Sequence, residues 1–241
     1  MAAGLYPPLN RLKSLGPEIW LVDGPAIRFY GMPFPTRMVV VRLEGGLWLH
    51  SPIAPDAGLF EQLADLGRVR WLVAPNNIHY AHLPAWAERF PEAQVHAAPG
   101  VAERAARHGL AFPPHELLGD APPPDWAGAI DQRLVPGHPF LNEVVFFHRP
   151  SRTLILTDLI ENFEASRLRW PMRLAACLAG NLDPDGKTPV DMRLSWRDKA
   201  AARAVMDEVI GWAPEQVVMA HGRIYRENAV AELTRAFRWL G

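Results

Sequence analysis

One cysteine, Cys177, stands in a chain of 241 residues. A lone thiol cannot close an intrachain disulfide, so a reducing compartment is expected. An excess of charge is missing too. Lys and Arg total 25 against 26 Asp and Glu, a net charge of −1. That balance offers no basic field to recruit nucleic acid or anionic lipid. No apolar run approaches the length that spans a bilayer, and the opening residues lack the apolar core of a signal peptide. No glycine-rich phosphate loop joins a strand to a helix, which disfavours a doubly wound nucleotide binder. No internal repeat is visible. These absences lead to the expectation of a cytoplasmic protein with neither a nucleic-acid nor a membrane partner.

Hydrophobic residues make up 49% of the chain, enough for one substantial core, and residues 1–241 are expected to form a single domain. The first third reads as sheet: a strand in Glu18–Gly24, then two β-rich runs around Gly45-Gly46, a dipeptide suited to a tight hairpin turn. Asp56 is placed to cap a helix running to Leu66, where Leu59, Phe60, Leu63 and Leu66 recur at helical spacing. "RWLVAP" and "AQVHAAPG" read as strands, each followed by a short helix. Residues 111–126 hold five of the 24 prolines and read as an ordered surface loop. Three strands follow up to Asp158, then an irregular stretch. A helix from about Trp196, the strand "QVVMAHG" and a terminal helix from Asn228 complete the chain. The pattern predicts a layered α/β domain, two sheets enclosed by helices.

Several of these strands end alike. An apolar run stops, and the first polar groups after it are potential metal ligands. "WLVAPNNIHYAH" delivers His79 and His82, "QRLVPGH" delivers His138, "TLILTD" delivers Asp158 and "QVVMAH" delivers His221. Side chains at the ends of neighbouring strands converge on one edge of a sheet, and imidazole with carboxylate suits Zn²⁺ or Fe²⁺.

With these motifs in place, the chain resembles the metallo-β-lactamase superfamily, as a divergent bacterial branch. "NNIHYAH" lies over that family's T-H-x-H-x-D-H. "VPGHPFLNEVVFFHRPSRTLILTD" and "VVMAHGRIYRENAVAEL" follow its later marks in order and spacing. The resemblance implies a four-layer αββα sandwich with a metal site at one edge of the paired sheets. It also exposes departures. Asn77 stands in place of the family's first histidine, and Ala81 in place of the aspartate that binds the second metal. The five remaining ligand types are His79, His82, His138, Asp158 and His221. They imply one divalent ion, zinc or iron, held by either of two triads that share Asp158: His79 with His138, or His82 with His221.

Other residues have two readings each. Asn77 is expected to hydrogen-bond rather than ligate. His50 either borders the site or is a strand-end surface histidine. Glu143 could support a ligand imidazole, but an exposed strand position is the favoured expectation. Tyr225 reaches either the pocket mouth or the last helix. His96, His108, His115 and His148 read as ordinary residues. Arg167–Leu174 reads as an amphipathic helix resting on the core, with a lid or partner surface as the alternative. The leading functional expectation is a mononuclear metal-dependent hydrolase of an unspecified small molecule, with Asp158 or a neighbouring imidazole orienting the water. The alternatives are a mononuclear iron enzyme of oxygen or sulfur chemistry, and a binding module with an emptied site.

Overall fold

In the computed structural model, which describes residues 4–29 and 31–241, seven strands lie side by side in chain order. They are β1 (Lys13–Gly16), β2 (Ile19–Phe29), β3 (Met32–Leu43), β4 (Gly46–His50), β5 (Val69–Ala74), β6 (Gln94–Ala97) and β7 (Glu116–Leu117). Pairing is antiparallel up to β4 and parallel beyond it. The hairpin read from Gly45-Gly46 is present, with Leu43 opposite Gly46. At Gly46 the backbone has φ +139°, and a Cβ would stand 2.5 Å from the Arg68 carbonyl oxygen, so glycine alone fits. The helices α1 (Ala57–Leu66), α2 (Leu83–Arg89) and α3 (Val101–Arg107) carry the parallel crossovers. Asp56 caps α1 as expected, its Oδ1 accepting from the Leu59 N–H at 2.9 Å. The proline-rich loop differs from expectation only in lending β7 to the sheet edge.

A second sheet contains β8 (Ile130–Val135), β9 (Glu143–His148), β10 (Thr153–Ile155) and, after the short β11 (Glu161–Asn162), β12 (Gln216–Val218). β11 pairs with β13 (His221–Gly222). The helices α4 (Trp170–Ala179), α5 (Val190–Ser195), α6 (Lys199–Gly211) and α7 (Ala229–Phe237) complete the chain.

The alternation along β9 shows how the layers form. Val144 and Phe146 pack inward with Trp48, Leu72 and Trp126. Their neighbours Val145 and Phe147 pack outward with Met206, Val209, Leu233 and Phe237 of α6 and α7. Successive strand residues face opposite sides, so one strand serves two cores. The result is the expected αββα sandwich. Among the described residues no helix is long and apolar enough to cross a membrane.

Candidate metal centre

The C-terminal ends of β4, β5, β10 and β12 open onto one edge of the sandwich. There His79 Nε2 and His221 Nε2 each lie 3.2 Å from the same oxygen, Asp158 Oδ1. Among the described residues these are the three side chains whose ligand atoms gather, all within 4.8 Å of one another. The trio takes one histidine from each triad expected from the sequence, with the shared Asp158 between them.

Each member is held from behind. His221 Nδ1 faces the Pro35 carbonyl at 3.0 Å. A carbonyl only accepts, so this nitrogen carries the proton and Nε2 presents a lone pair. His79 Nδ1 lies 2.8 Å from Ser51 Oγ, and Ser51 is held at φ +54°, an uncommon conformation for a residue other than glycine. Asp158 Oδ2 accepts from Asn76 Nδ2 at 2.7 Å. The same amide nitrogen reaches Thr157 Oγ1 at 2.8 Å and Glu143 Oε2 at 3.0 Å. Asn76 Oδ1 accepts the N–H groups of Ile78 and His79, both at 2.8 Å. One asparagine therefore fixes the carboxylate and the turn that carries His79.

Burial and charge oppose one another here. Burial raises the Asp158 carboxyl, but His79 and His221 outweigh it and hold the group far below the usual carboxylate range. Burial lowers His79, yet the Asp158 carboxylate outweighs that and raises it. His221 goes the other way: burial dominates over Asp158 and lowers it. The His221 contact is therefore the test of whether a metal fits. A neutral imidazole protonated on Nδ1 turns a lone pair toward a carboxylate lone pair at 3.2 Å. Without a cation that pairing is repulsive, and burial disfavours a second proton on the ring. Two imidazoles and one carboxylate around that point suit Zn²⁺ or Fe²⁺ and leave coordination positions open.

The other expected ligands sit elsewhere. His138 does not join the group, because both its ring nitrogens are engaged. Nδ1 accepts from the backbone N–H groups of Leu141 and Phe140 at 2.7 and 3.2 Å, and Nε2 lies 3.0 Å from Ser195 Oγ. His82 precedes α2 and lines the cavity beside the site, with its Nε2 buried and unpartnered among the described residues. Asn77 donates to the Phe140 carbonyl, a hydrogen-bonding position as expected. His50 is buried rather than at the surface. It stacks on Trp48 and is pulled down to about 3, by burial first and then by His79.

Glu143 reverses its favoured expectation. It is buried, and it accepts the backbone N–H groups of Thr157 and Asp158, each at 2.8 Å. It thus props the Asp158 segment rather than an imidazole. Tyr225 lies against α7, donating to the Gly186 carbonyl at 3.1 Å and accepting from Arg235. His108 was read as an ordinary helix-end residue, but it lines the cavity.

That cavity is about 470 Å³. Ile27, Met32, Phe34, Phe163 and Met172 make much of its wall, while Arg28, Arg104 and Glu161 add charge-bearing groups. Glu161 is pushed up to about 8, by burial first and then by the nearby Asp158 charge. Asn76, Ser51 and Glu161 were all missed in the sequence. For Asn76 a signal existed: an Asx residue two and three places before backbone N–H groups at a strand end. Ser51 and Glu161 carry none that stands apart from their surroundings.

Similarity to known proteins agrees with this architecture. A metallo-β-lactamase from Pontibacter korlensis superimposes with a TM-score of 0.65 at 14% identity, over 95% of this chain and 98% of the other. The metallo-β-lactamase FIM-1 from Pseudomonas aeruginosa, in its mono-zinc form, gives 0.66 at 12% identity, over 95% and 94%. The rubredoxin oxygen:oxidoreductase from Desulfovibrio gigas gives 0.66 at 13%, over 95% of this chain and 60% of the other. At such identities the likeness is one of fold. No curated protein matches the chain. The model of one family, described as Domain of unknown function (DUF4336), matches residues 17–171, a span that includes His79 and Asp158 and stops short of His221. With well over half its length matched, the chain belongs to the DUF4336 family, on a metallo-β-lactamase fold.

Proposed function

We propose that the protein holds one divalent metal ion on His79, Asp158 and His221 and uses it to hydrolyse a small molecule bound in the adjoining cavity. The observation that carries this reading is the meeting of three ligand atoms at a point where His221 and Asp158 would otherwise set lone pair against lone pair. A metal bound there would supply a water acidified toward neutrality and would polarise a carbonyl or phosphoryl oxygen. The chain's own groups do the rest. Ser51 and Pro35 aim the two imidazoles, and Asn76 and Glu143 fix the carboxylate. Glu161, which burial first and then the Asp158 charge push up to about 8, stands on the cavity wall beside the site. Ala81 brings no carboxylate to the cavity, and His138 is already engaged, which supports one ion rather than two.

An iron-dependent oxidation is the second reading. A two-histidine, one-carboxylate set with open positions also suits Fe²⁺, and one protein of the same fold is named an oxygen:oxidoreductase. Elemental analysis of protein purified without chelator decides between them. About one equivalent of zinc supports the hydrolase; about one equivalent of iron, with oxygen uptake, supports the alternative. Asp158→Asn and His221→Ala should each bring metal close to background in a folded protein, while His138→Ala should not. Wild type without metal under any supplementation would leave the fold as a binding module. Two tightly held equivalents would refute the one-ion site.

A further inference from the structure

The helix α4 has two apolar faces, and one of them covers nothing among the described residues. Met172, Ala175, Ala176 and Ala179 recur at helical spacing and line the cavity. On the opposite side Trp170, Leu174 and Leu178 form an i, i+4, i+8 stripe turned to solvent, with Trp170 78% and Leu178 74% exposed. Leu194 of α5, which packs beside α4, is 82% exposed. Three of the eight exposed large hydrophobic side chains among the described residues thus lie on this one helix face. A patch of that kind marks an interaction site.

The charges around the stripe choose the partner. Arg169 and Arg173 are exposed and join no ion pair among the described residues, and α4 contains no acidic residue. If α4 met α4 of a second copy, these arginines would face one another without a carboxylate on either helix. An apolar stripe with tryptophan at one end and unpaired arginines beside it complements a surface that is apolar inside and anionic at its rim. We propose that the outer face of α4 docks on an anionic lipid bilayer, with Trp170, Leu174 and Leu178 entering the headgroup boundary and Arg169 and Arg173 contacting lipid phosphates. The expectation that no membrane partner exists rested on net charge and on the lack of a spanning segment. Neither bears on a local cationic, apolar helix face. The proposal stands apart from the metal site.

Sedimentation of the full chain with vesicles tests it. Vesicles of phosphatidylcholine mixed with phosphatidylglycerol should bind the protein, and phosphatidylcholine alone should bind it far more weakly. Each arginine at such a surface contributes a factor of about five, so Arg169→Gln with Arg173→Gln should weaken binding about thirtyfold, and added salt should mimic the loss. Trp170→Ser, Leu174→Ser and Leu178→Ser together should abolish it, with circular dichroism confirming the fold. Should that variant unfold, the arginine pair still decides. Equal binding to both vesicle types, or no binding to either, overturns the proposal. So does a dimer in solution that Leu174→Ser with Leu178→Ser dissociates while wild type ignores vesicles.

Discussion

Asn76 shows what a single amide does at the centre of this site. Its nitrogen reaches Asp158, Thr157 and Glu143, and its oxygen takes the N–H groups of Ile78 and His79. Asn76→Ala leaves two buried N–H groups and a carboxylate oxygen short of partners. It should cost about 2–4 kcal/mol in urea unfolding and lower metal content with it. Asn76→Asp, nearly identical in shape, should be worse. It replaces the donor with a third carboxylate beside Glu143 and Asp158, where like charges cannot all ionise. If Asn76→Asp matched wild type in stability and metal content, the role assigned to this amide would be wrong. His79, Asp158 and His221 were legible in the sequence because they are early polar residues after apolar strands. Asn76 and Ser51 were not, because their work is to hold backbone and rings that only strand pairing brings near. His138 shows the converse limit. A residue type at a strand end says nothing of whether its ring nitrogens are already taken.

At the scale of elements, the segment from β12 to β13 is fastened from across the sandwich. The buried Arg37 of β3 donates to the carbonyls of Met219 and Gly222, at 2.7 and 2.9 Å, on either side of His221. Asp23 compensates its charge, accepting from Arg37 Nε at 2.9 Å. Gly222 completes the fastening. It has φ +100°, and a Cβ there would stand 2.0 Å from the Asn162 carbonyl oxygen. Lysine keeps the charge of Arg37 but not the planar fork. Arg37→Lys should therefore weaken metal binding about ten- to a hundredfold, as loss of a group supporting a ligand does, read by competition with a chelator. A change in α1 should do the opposite. Asp56→Ala removes the cap at Leu59 and should cost about 1 kcal/mol of stability with no change in metal affinity. Equal effects of the two substitutions on affinity would show that the β12–β13 segment is not held as described. The cap of α1 and the glycine hairpin were written locally and were read. The grip of Arg37 joins residues 182 positions apart, and no local pattern announces it.

For the molecule as a whole, buried imidazoles set the response to acid. His148 is pulled down to about 4, by burial first, and His50 to about 3. Both fall below the ordinary 6.5, so the unfolded chain takes up protons that the folded chain refuses. Their contribution to stability is complete above pH 6.5 and is lost progressively as pH falls toward 4 and 3. Each histidine adds a slope of up to about 1.4 kcal/mol per pH unit in that window. His148 lies at the far end of β9 from the Glu143 that props Asp158. His148→Gln should therefore flatten the acid limb of the stability curve without touching metal content. Denaturant melts of wild type and variant between pH 7 and 5 check this, and parallel curves would assign the acid sensitivity elsewhere.

The distances in sequence between these partners also order events in time. Pro35 and Arg37 reach the segment around residue 221, and Gln216 donates to the Leu15 carbonyl 201 positions away. Contacts between residues so far apart in sequence are slow to close and must wait for synthesis of the later partner. A growing chain therefore has Asp158 and His79 in hand long before it has His221. Neither a nascent chain nor one truncated before that residue can assemble the three-ligand centre. If the proposed site holds its metal, full occupancy would be a seal that β1–β3 and the β12–β13 segment have met, and its loss under mild stress should register their parting before either sheet comes apart.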